Sequence, residues 1–312
     1  MVVSQNRSWL STLLAFRGTA LARIWPRLLI SMLMSVCVTL AWYNGYFRDF
    51  TLSVAPFSLV GLALSIFLGF RNSASYDRYW EGRKLWGGLV NNSRAFARVA
   101  LSYISPATPE QGPSVDARKR ALVLRQVAYV HAVRMHLRAE VDVEELGAWL
   151  HADELQALRR EVNVPAAINH ATGLEVGALY REGHIHAQHV LPIDAALTLN
   201  TDYQGACERI ISTPIPWLYT VLMHRLVAIY CFFLPLGLVK DLGWATPIVV
   251  TIVAYAFYGL DGIGEEIEEP FGHDPNDLPL SAISRMIEVN LLQRIGETEL
   301  PPLHKPVDQI LR

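Results

Sequence analysis

Hydrophobic residues are concentrated in a few long runs near the two ends of the chain, whereas the middle has the mixed pattern of a polar helical protein. A helix needs about 20 apolar residues to cross the hydrocarbon core of a bilayer. Four runs approach or reach this length: Leu28 to Phe47, Leu52 to Phe70, Ile215 to Val239, and Leu242 to Leu260. Because backbone groups in lipid must form their hydrogen bonds within the segment, each run is expected to be a transmembrane helix.

Lysine and arginine residues are distributed unevenly around these runs. They accumulate before the first run and after the second, whereas the two short connecting loops hold only Arg48 and Lys240. Basic residues favour the cytoplasmic side of a membrane, so both termini and the long middle region are expected in the cytoplasm. The expected divisions are a cytosolic N-terminal segment (1–27), two transmembrane helices (28–70), a cytosolic helical region (71–214), two further transmembrane helices (215–260) and a cytosolic C-terminal segment (261–312).

The middle region also has helical periodicity. Large apolar residues recur at near-helical spacing between Tyr76 and Phe96, so the second run is expected to continue into the cytoplasm as a helix. Further helices are expected over 118–138, 143–160, 186–211 and 281–295, with a break at 165–173. There is no strand pattern, and the predicted fold class is an all-α membrane protein.

Composition agrees with this class, since 52% of the residues are hydrophobic and 18% are charged. The formal net charge of −2 provides no basic field for a nucleic-acid partner. The three cysteines form no C-x-x-C pair and are interpreted as small buried apolar residues. No phosphate-binding loop, G-x-S-x-G or H-E-x-x-H motif is present, so neither catalysis nor a cofactor is expected.

The second run carries a candidate functional face. Leu62, Ile66 and Phe70 recur every four residues and therefore lie on one side of a helix. A face of this kind usually contacts lipid or a neighbouring helix. The alternative is a hydrophobic constriction that gates ions by excluding water. Four helices enclose little water-filled space, so the alternative requires several copies of the chain around an axis.

Three ordered motifs resemble the bacterial branch of the bestrophin family. They are G-F-R-N-S-A-S-Y-D-R at 69–78 followed by Trp86 and Gly87, S-T-P-I-P at 212–216, and E-P-F-G at 269–272. The resemblance covers most of the chain. It implies a pentameric channel of the cell inner membrane, in which each subunit has four transmembrane helices. The implied partners are further copies of the chain, membrane lipid and the permeating ions.

The resemblance also assigns residues to the pore. It places Leu62, Ile66 and Phe70 at a narrow hydrophobic neck, which is the row found above by spacing. It also implies a second aperture on the cytosolic side, and the family's aperture position aligns near Gln188. The neighbouring His189 and Val190 are close alternatives, because loop lengths differ in the family.

Animal bestrophins bind calcium in a clasp near the Pro-Phe-Gly motif, using acidic and carboxamide side chains. Asp274 and Asp277 match the acidic positions of that clasp, but Glu266 and Glu269 occupy the carboxamide positions. Calcium favours about six to eight oxygen ligands, and the pattern here is altered. We therefore expect a solvated or intersubunit charged surface at this place, with no bound metal.

Three histidines form an H-x-H-x-x-H pattern at His184, His186 and His189. Imidazole suits zinc or copper, but only Glu182 is near enough to add a ligand, so these residues are interpreted as surface or vestibule histidines.

Charged residues near the runs also need an explanation. Arg225, inside the third run, is costly unless it is paired or near water. An ion-pair cluster just below the membrane is expected from Arg71, Asp77, Arg78 and Glu81.

The sequence leaves the sign of the permeating ion open, because an apolar neck does not select by charge. The resemblance to the bacterial branch of the family implies monovalent cations as the permeating ions, and an anion (chloride) channel of the same architecture is the alternative. A membrane-embedded enzyme would need paired histidines or a Cys/His metal set, but the runs contain only His224. A scaffold that signals through its helical cytosolic part is the remaining possibility.

Overall fold

The regular structure of this protein is helical. The structure is a computed structural model, and it describes residues 1–2, 9, 16, 18–46, 52–307 and 309–311. Within these residues, pairing between extended segments is limited to isolated β-bridges. The α-helices with bounds in this part of the chain are α1 (Leu21–Tyr43), α2 (Val54–Tyr103), α3 (Gly112–Leu137), α4 (Ala152–Leu158), α5 (Val164–Arg181), α6 (Ala187–Ser212), α7 (Trp217–Leu242), α8 (Thr246–Ile267) and α9 (Leu280–Arg294).

Three segments of the described chain are long and apolar enough to cross a membrane, namely Leu21–Tyr43, Val54–Tyr103 and Trp217–Ile267. The third contains both α7 and α8, which a short 3-10 turn at Gly243–Ala245 separates. The chain reverses at this turn, because His224 of α7 lies 3.7 Å from Asp261 of α8. The apolar part of the fold is therefore built from α1, one half of α2, and the α7–α8 hairpin.

The helices are longer than the apolar runs that predicted them. The first run was expected to begin at Leu28, but α1 already begins at Leu21 and includes two arginines. The loop residues Phe47 and Arg48 lie outside the described residues. An apolar run marks where a helix can meet lipid, whereas backbone hydrogen bonding continues for as long as the residues permit it.

Helix α2 continues without a break for 50 residues, which confirms that the second run extends as a helix beyond its apolar part. It begins at the cap residue Ser53, whose hydroxyl accepts a hydrogen bond from the Ala55 backbone N–H at 3.3 Å. No proline occurs between Pro56, in the first turn, and Pro106, just beyond the end.

The break expected at 165–173 is wrong, because the helix α5 occupies Val164–Arg181. The Asn163 side chain caps this helix by accepting from the Ala166 backbone N–H at 3.1 Å. Pro165 lies in the first turn, where the backbone N–H has no helical partner to lose, so it starts the helix and does not end it. The segment predicted at 143–160 forms a 3-10 turn (Val143–Ala148) followed by the short α4.

A network of buried carboxamides holds α2, α3 and α6 together in the polar half of the molecule. Asn92 of α2 donates to the Asn200 carbonyl oxygen at 2.8 Å, and Asn200 donates to Gln126 of α3 at 2.8 Å. Gln126 in turn donates to the Ser93 hydroxyl at 3.0 Å. Buried polar groups are costly when unpaired, so this set of bonds favours one register of the three helices.

The contact of α2 with α6 gives a test of this packing. A Cβ atom at Gly88 would lie 2.5 Å from the Tyr203 ring, whereas a Cβ at Gly87 would meet only the end of the Arg83 side chain at 3.5 Å. We expect Gly88→Ala to lower the stability by about 1–3 kcal/mol through overpacking. The measurement is the thermal melting temperature of the purified protein in detergent.

Gly87→Ala is the matched control, and it is expected to be neutral or stabilising because alanine is the better helix former by up to about 1 kcal/mol. Equal melting temperatures for the two variants would contradict the observed approach of α2 to α6.

Candidate functional site

Leu62, Ile66 and Phe70, here called the α2 row, lie on the side of α2 that faces away from the rest of the subunit. Their exposed fractions are 63%, 51% and 67%. The buried positions along the same stretch are Gly61, Leu64, Leu68, Arg71 and Ser75. At about 100° per residue these two sets point in opposite directions. The α2 row is thus one continuous apolar surface that no described part of its own subunit covers.

An ion pair fixes the rotation of α2 directly beside this row. Arg71 is 1% exposed, and its Nη1 atom lies 2.6 Å from the Oδ1 atom of Asp261, which is also 1% exposed. The Arg71 Nη2 atom lies 3.7 Å from Glu268. Buried charges are stable only when paired with good geometry, so Arg71 must point toward α8. The α2 row, on the opposite side of the helix, must then point outward.

Asp261 is the centre of a wider group of charges. Arg27 of α1 and His224 of α7 each approach its carboxylate at 3.7 Å. Asn72 of α2 donates to the neighbouring Leu260 carbonyl at 3.0 Å. The Asp261 carboxylate therefore meets basic side chains from α1, α2 and α7. It does so at the boundary of the apolar parts of α1 and α2.

The predicted cluster of Arg71, Asp77, Arg78 and Glu81 is wrong in its pairing. Arg78 donates to three backbone carbonyls, those of Ile210, Thr213 and Glu268, at 2.6 to 3.0 Å. Glu81 pairs with Arg209 of α6 at 2.6 Å. The four residues are close in sequence, and this proximity suggested that they pair with one another. In the structure Arg71 and Arg78 face the interior of the subunit, whereas Asp77 is exposed.

The three aperture candidates lie together in the first turn of α6 but in different environments. Gln188 is exposed, whereas the His189 ring stacks on Tyr103 at a centroid distance of 4.5 Å. Val190 packs against a buried apolar cluster between α2, α3, α5 and α6. Of the three residues, Gln188 is exposed whereas His189 and Val190 are half-buried, and the place of Gln188 at an aperture stays a prediction.

The acidic segment after α8 is held by internal hydrogen bonds. Asp277 is buried, and its Oδ2 atom accepts from the Asp274 backbone N–H at 2.7 Å. Asn276 donates to Glu266 at 2.9 Å, and Arg23 approaches Asp274 at 3.5 Å. Burial raises the pKa of the Asp277 carboxyl to about 7, and the nearby carboxylates of Asp274 and Glu266 act in the same direction.

The described residues contain no group of three or more His, Cys, Asp or Glu side chains that could hold a metal ion. The predicted clasp remnant at Asp274 and Asp277 is a pair joined by a backbone hydrogen bond. The three histidines do not meet at one point, since His184 is buried and lies 3.6 Å from Glu182. The His186 and His189 rings contact each other edge to face at a centroid distance of 6.0 Å, and His189 also stacks on Tyr103.

Comparison with known proteins shows the family. The family model described as bacterial/fungal bestrophin protein matches residues 1–293. The chain belongs to the bacterial and fungal bestrophin family. The resemblance found in the three sequence motifs is thereby confirmed, and the family together with the apolar segments makes the chain a membrane protein.

Similar proteins cover nearly the whole chain. A voltage-dependent anion channel-forming protein of Ralstonia nicotianae is 41% identical over 300 residues, which cover 96% of each chain. A protein of the same description from Escherichia coli K12 is 37% identical over 303 residues, again 96% of each. The crystal structure of a bacterial bestrophin homologue from Klebsiella pneumoniae superposes with a TM-score of 0.81 and 34% identity, covering 88% of this chain and 100% of that one.

Sequence reasoning missed Asp261, the main charged partner in this bestrophin's site. A signal was present, because Arg71 directly follows the uncharged second run and Asp261 directly follows the fourth. Two charged residues at corresponding ends of two apolar helices that pack side by side can lie close together and pair. Helical spacing within α2 drew attention to Asp77 and Glu81, which are close in sequence but point elsewhere.

The buried pair gives a stability prediction. Asp261→Asn leaves the Arg71 charge without its main partner, which costs about 3–5 kcal/mol for a buried pair. We expect a large loss of melting temperature in detergent. Asp241→Asn, at an exposed position near the opposite end of the α7–α8 hairpin, is the control and should melt like the wild type.

The double variant Arg71→Met with Asp261→Leu should lose less stability than the sum of the two single variants, because it removes both buried charges together. Additive losses would show that the two side chains do not interact.

Asp277 gives a prediction on pH dependence. The pKa of its carboxyl is raised from 3.8 to about 7, so the folded protein favours the neutral acid. As the pH rises through this interval, the folded state must hold an unfavourable buried carboxylate and its stability falls. We expect Asp277→Asn to lose less melting temperature than the wild type between pH 5 and pH 7.5. Asp202→Asn, an exposed control on α6, should keep the wild-type slope.

Proposed function

We propose that this bestrophin forms a homopentameric anion channel in the cell inner membrane. In this proposal α1, α2, α7 and α8 each cross the membrane, both termini lie in the cytoplasm, and five copies of α2 surround one central pore. The lengths of α1, α7 and α8, at 23, 26 and 22 residues, support separate crossings, since about 20 residues span the hydrocarbon core.

The outward direction of the α2 row is the observation that carries the proposal. Leu62, Ile66 and Phe70 are large, apolar and exposed along one side of α2, while the Arg71–Asp261 pair anchors the other side. Four helices in one subunit enclose little water-filled space, so a pore requires several copies arranged about an axis. Placed at that axis, the α2 row forms a narrow apolar neck that stays poorly wetted until the helices move.

The descriptions of the relatives support a negatively charged permeating ion. The resemblance to the bacterial branch favours monovalent cations, but the relatives at 41% and 37% identity carry the description of anion channel-forming proteins. That description supports the anion alternative. An apolar neck adds no charge of its own, so selection would depend on the vestibule, on the aperture near Gln188 and on the energy of ion dehydration.

The neck is tested by the triple variant Leu62→Ala, Ile66→Ala, Phe70→Ala in reconstituted liposomes. Smaller side chains widen and wet the constriction, so we expect chloride flux to increase about ten-fold, equivalent to a barrier ~1.4 kcal/mol lower. Val60→Ala with Phe67→Ala is the control, because both residues are exposed on the flank of α2. Unchanged flux and unchanged ion preference in the triple variant would show that the α2 row does not border the pore.

The ion sign is tested by recording reversal potentials in planar bilayers under a KCl gradient. An anion channel gives a reversal potential close to the equilibrium potential of chloride. A value close to the equilibrium potential of potassium would support the hypothesis of a cation channel with the same architecture. Mass measurement of the complex in detergent checks the expected five copies.

A further inference from the structure

A cavity of about 400 Å³ lies between α1, α7 and α8, on the other side of Asp261 from the α2 row. Its polar wall is formed by Arg27, His224, Arg225 and Asp261. Its apolar wall includes Ile30 and Phe232, with exposed fractions of 61% and 41%. The cavity thus joins a charged end to an apolar end.

The charged end has an excess of positive charge. Asp261 is the only carboxylate among the lining residues, and it is already paired at 2.6 Å with the buried Arg71, which is not part of the wall. Arg27 approaches it only at 3.7 Å. Among the described residues Arg225 has no ion-pair partner, although it lies within an apolar helix where an unpaired charge is costly.

His224 adds a second unsatisfied group. Its Nε2 atom is buried and forms no hydrogen bond in the described structure, and the nearest acceptor, Asp261, is 3.7 Å away. Arg27 and His224 therefore converge on one carboxylate that is already paired with Arg71, and this excess of positive charge indicates an anionic ligand.

The geometry of the helices restricts what that ligand can be. Ile30 is about one turn beyond Arg27 along α1, and Phe232 is about two turns beyond Arg225 along α7, both toward the apolar parts of these helices. A ligand that meets the arginines therefore continues along hydrocarbon-facing side chains. This is the arrangement of a phospholipid, with its phosphate at the charged level and its acyl chains beside the membrane helices.

We propose that this cavity binds the phosphate headgroup of an anionic phospholipid, with Arg27, His224 and Arg225 as headgroup contacts and Ile30 and Phe232 beside an acyl chain. The site does not include the α2 row and does not depend on the pore assignment. A lipid bound here connects α1 to the α7–α8 hairpin next to the pair that fixes α2. It supplies the counter-charge that Arg225 lacks among the residues that the structure describes.

The test compares lipid-dependent thermal stabilisation of the full-length protein in detergent. Phosphatidylglycerol, phosphatidylcholine and free glycerol phosphate are titrated into the wild type and into Arg225→Gln. Of these three compounds, only phosphatidylglycerol should raise the wild-type melting temperature. Arg225→Gln should weaken its apparent affinity about five-fold, the change expected for one basic side chain near an anionic lipid.

Two variants separate lipid binding from other effects. Lys240→Gln removes the same charge from an exposed position at the other end of α7 and should respond like the wild type. Arg225→Lys keeps the charge and should retain most of the response. Melting of all variants at the wild-type temperature without added lipid shows that they are folded.

Several results would overturn the proposal. Equal stabilisation by phosphatidylcholine would show that the headgroup charge is not recognised, and equal stabilisation by glycerol phosphate would show that no acyl chain is bound. A wild-type lipid response from Arg225→Gln would remove Arg225 from the site. If that variant instead changes the mass of the complex while its lipid response is unchanged, a neighbouring copy of the chain occupies the cavity.

Discussion

The Arg71 guanidinium and the Asp261 carboxylate meet at 2.6 Å where neither side chain is accessible to solvent. Moving either charge away from its partner would leave an isolated charge in a medium of low dielectric constant, so the pair tolerates little rotation of α2 against α8. Everything on the opposite side of α2 takes its direction from this constraint. The outward α2 row is therefore a consequence of a contact made behind it.

Close approach of the membrane helices makes this pairing possible. A Cβ atom at Gly61 of α2 would lie 2.6 Å from the Tyr230 hydroxyl of α7, and one at Gly237 of α7 would overlap the Phe57 ring. Gly264 of α8 likewise leaves room for the Asn72 side chain. Small residues allow helices to pack closely in a membrane, where the hydrophobic effect does not drive one helix against another.

The single long helix α2 connects the two halves of the molecule mechanically. One half of it belongs to the apolar helices, and the other half is held by the amide network through Asn92. Arg78 lies between them and ties the ends of α6 and α8 to the same helix through three carbonyl contacts. A movement of the polar half can thus reach the α2 row without passing through a flexible joint.

The sequence by itself determined the helical class, the apolar runs and the shared face of Leu62, Ile66 and Phe70, because each of these depends on local spacing and on the length of a helix in lipid. Two predictions made from the sequence were wrong. Pro165 was read as a break although it starts α5, since the effect of a proline depends on its position within the helix.

Arg71 was paired with residues on its own helix, although its partner is 190 residues away in the chain. Only the tertiary structure decided this pairing, the direction of the α2 row and the convergence of Arg27, His224 and Arg225 on one cavity. Each of these depends on how separate helices rotate and approach one another. That arrangement is set by buried charges and by close packing between residues far apart in sequence. A local sequence pattern does not predict such contacts.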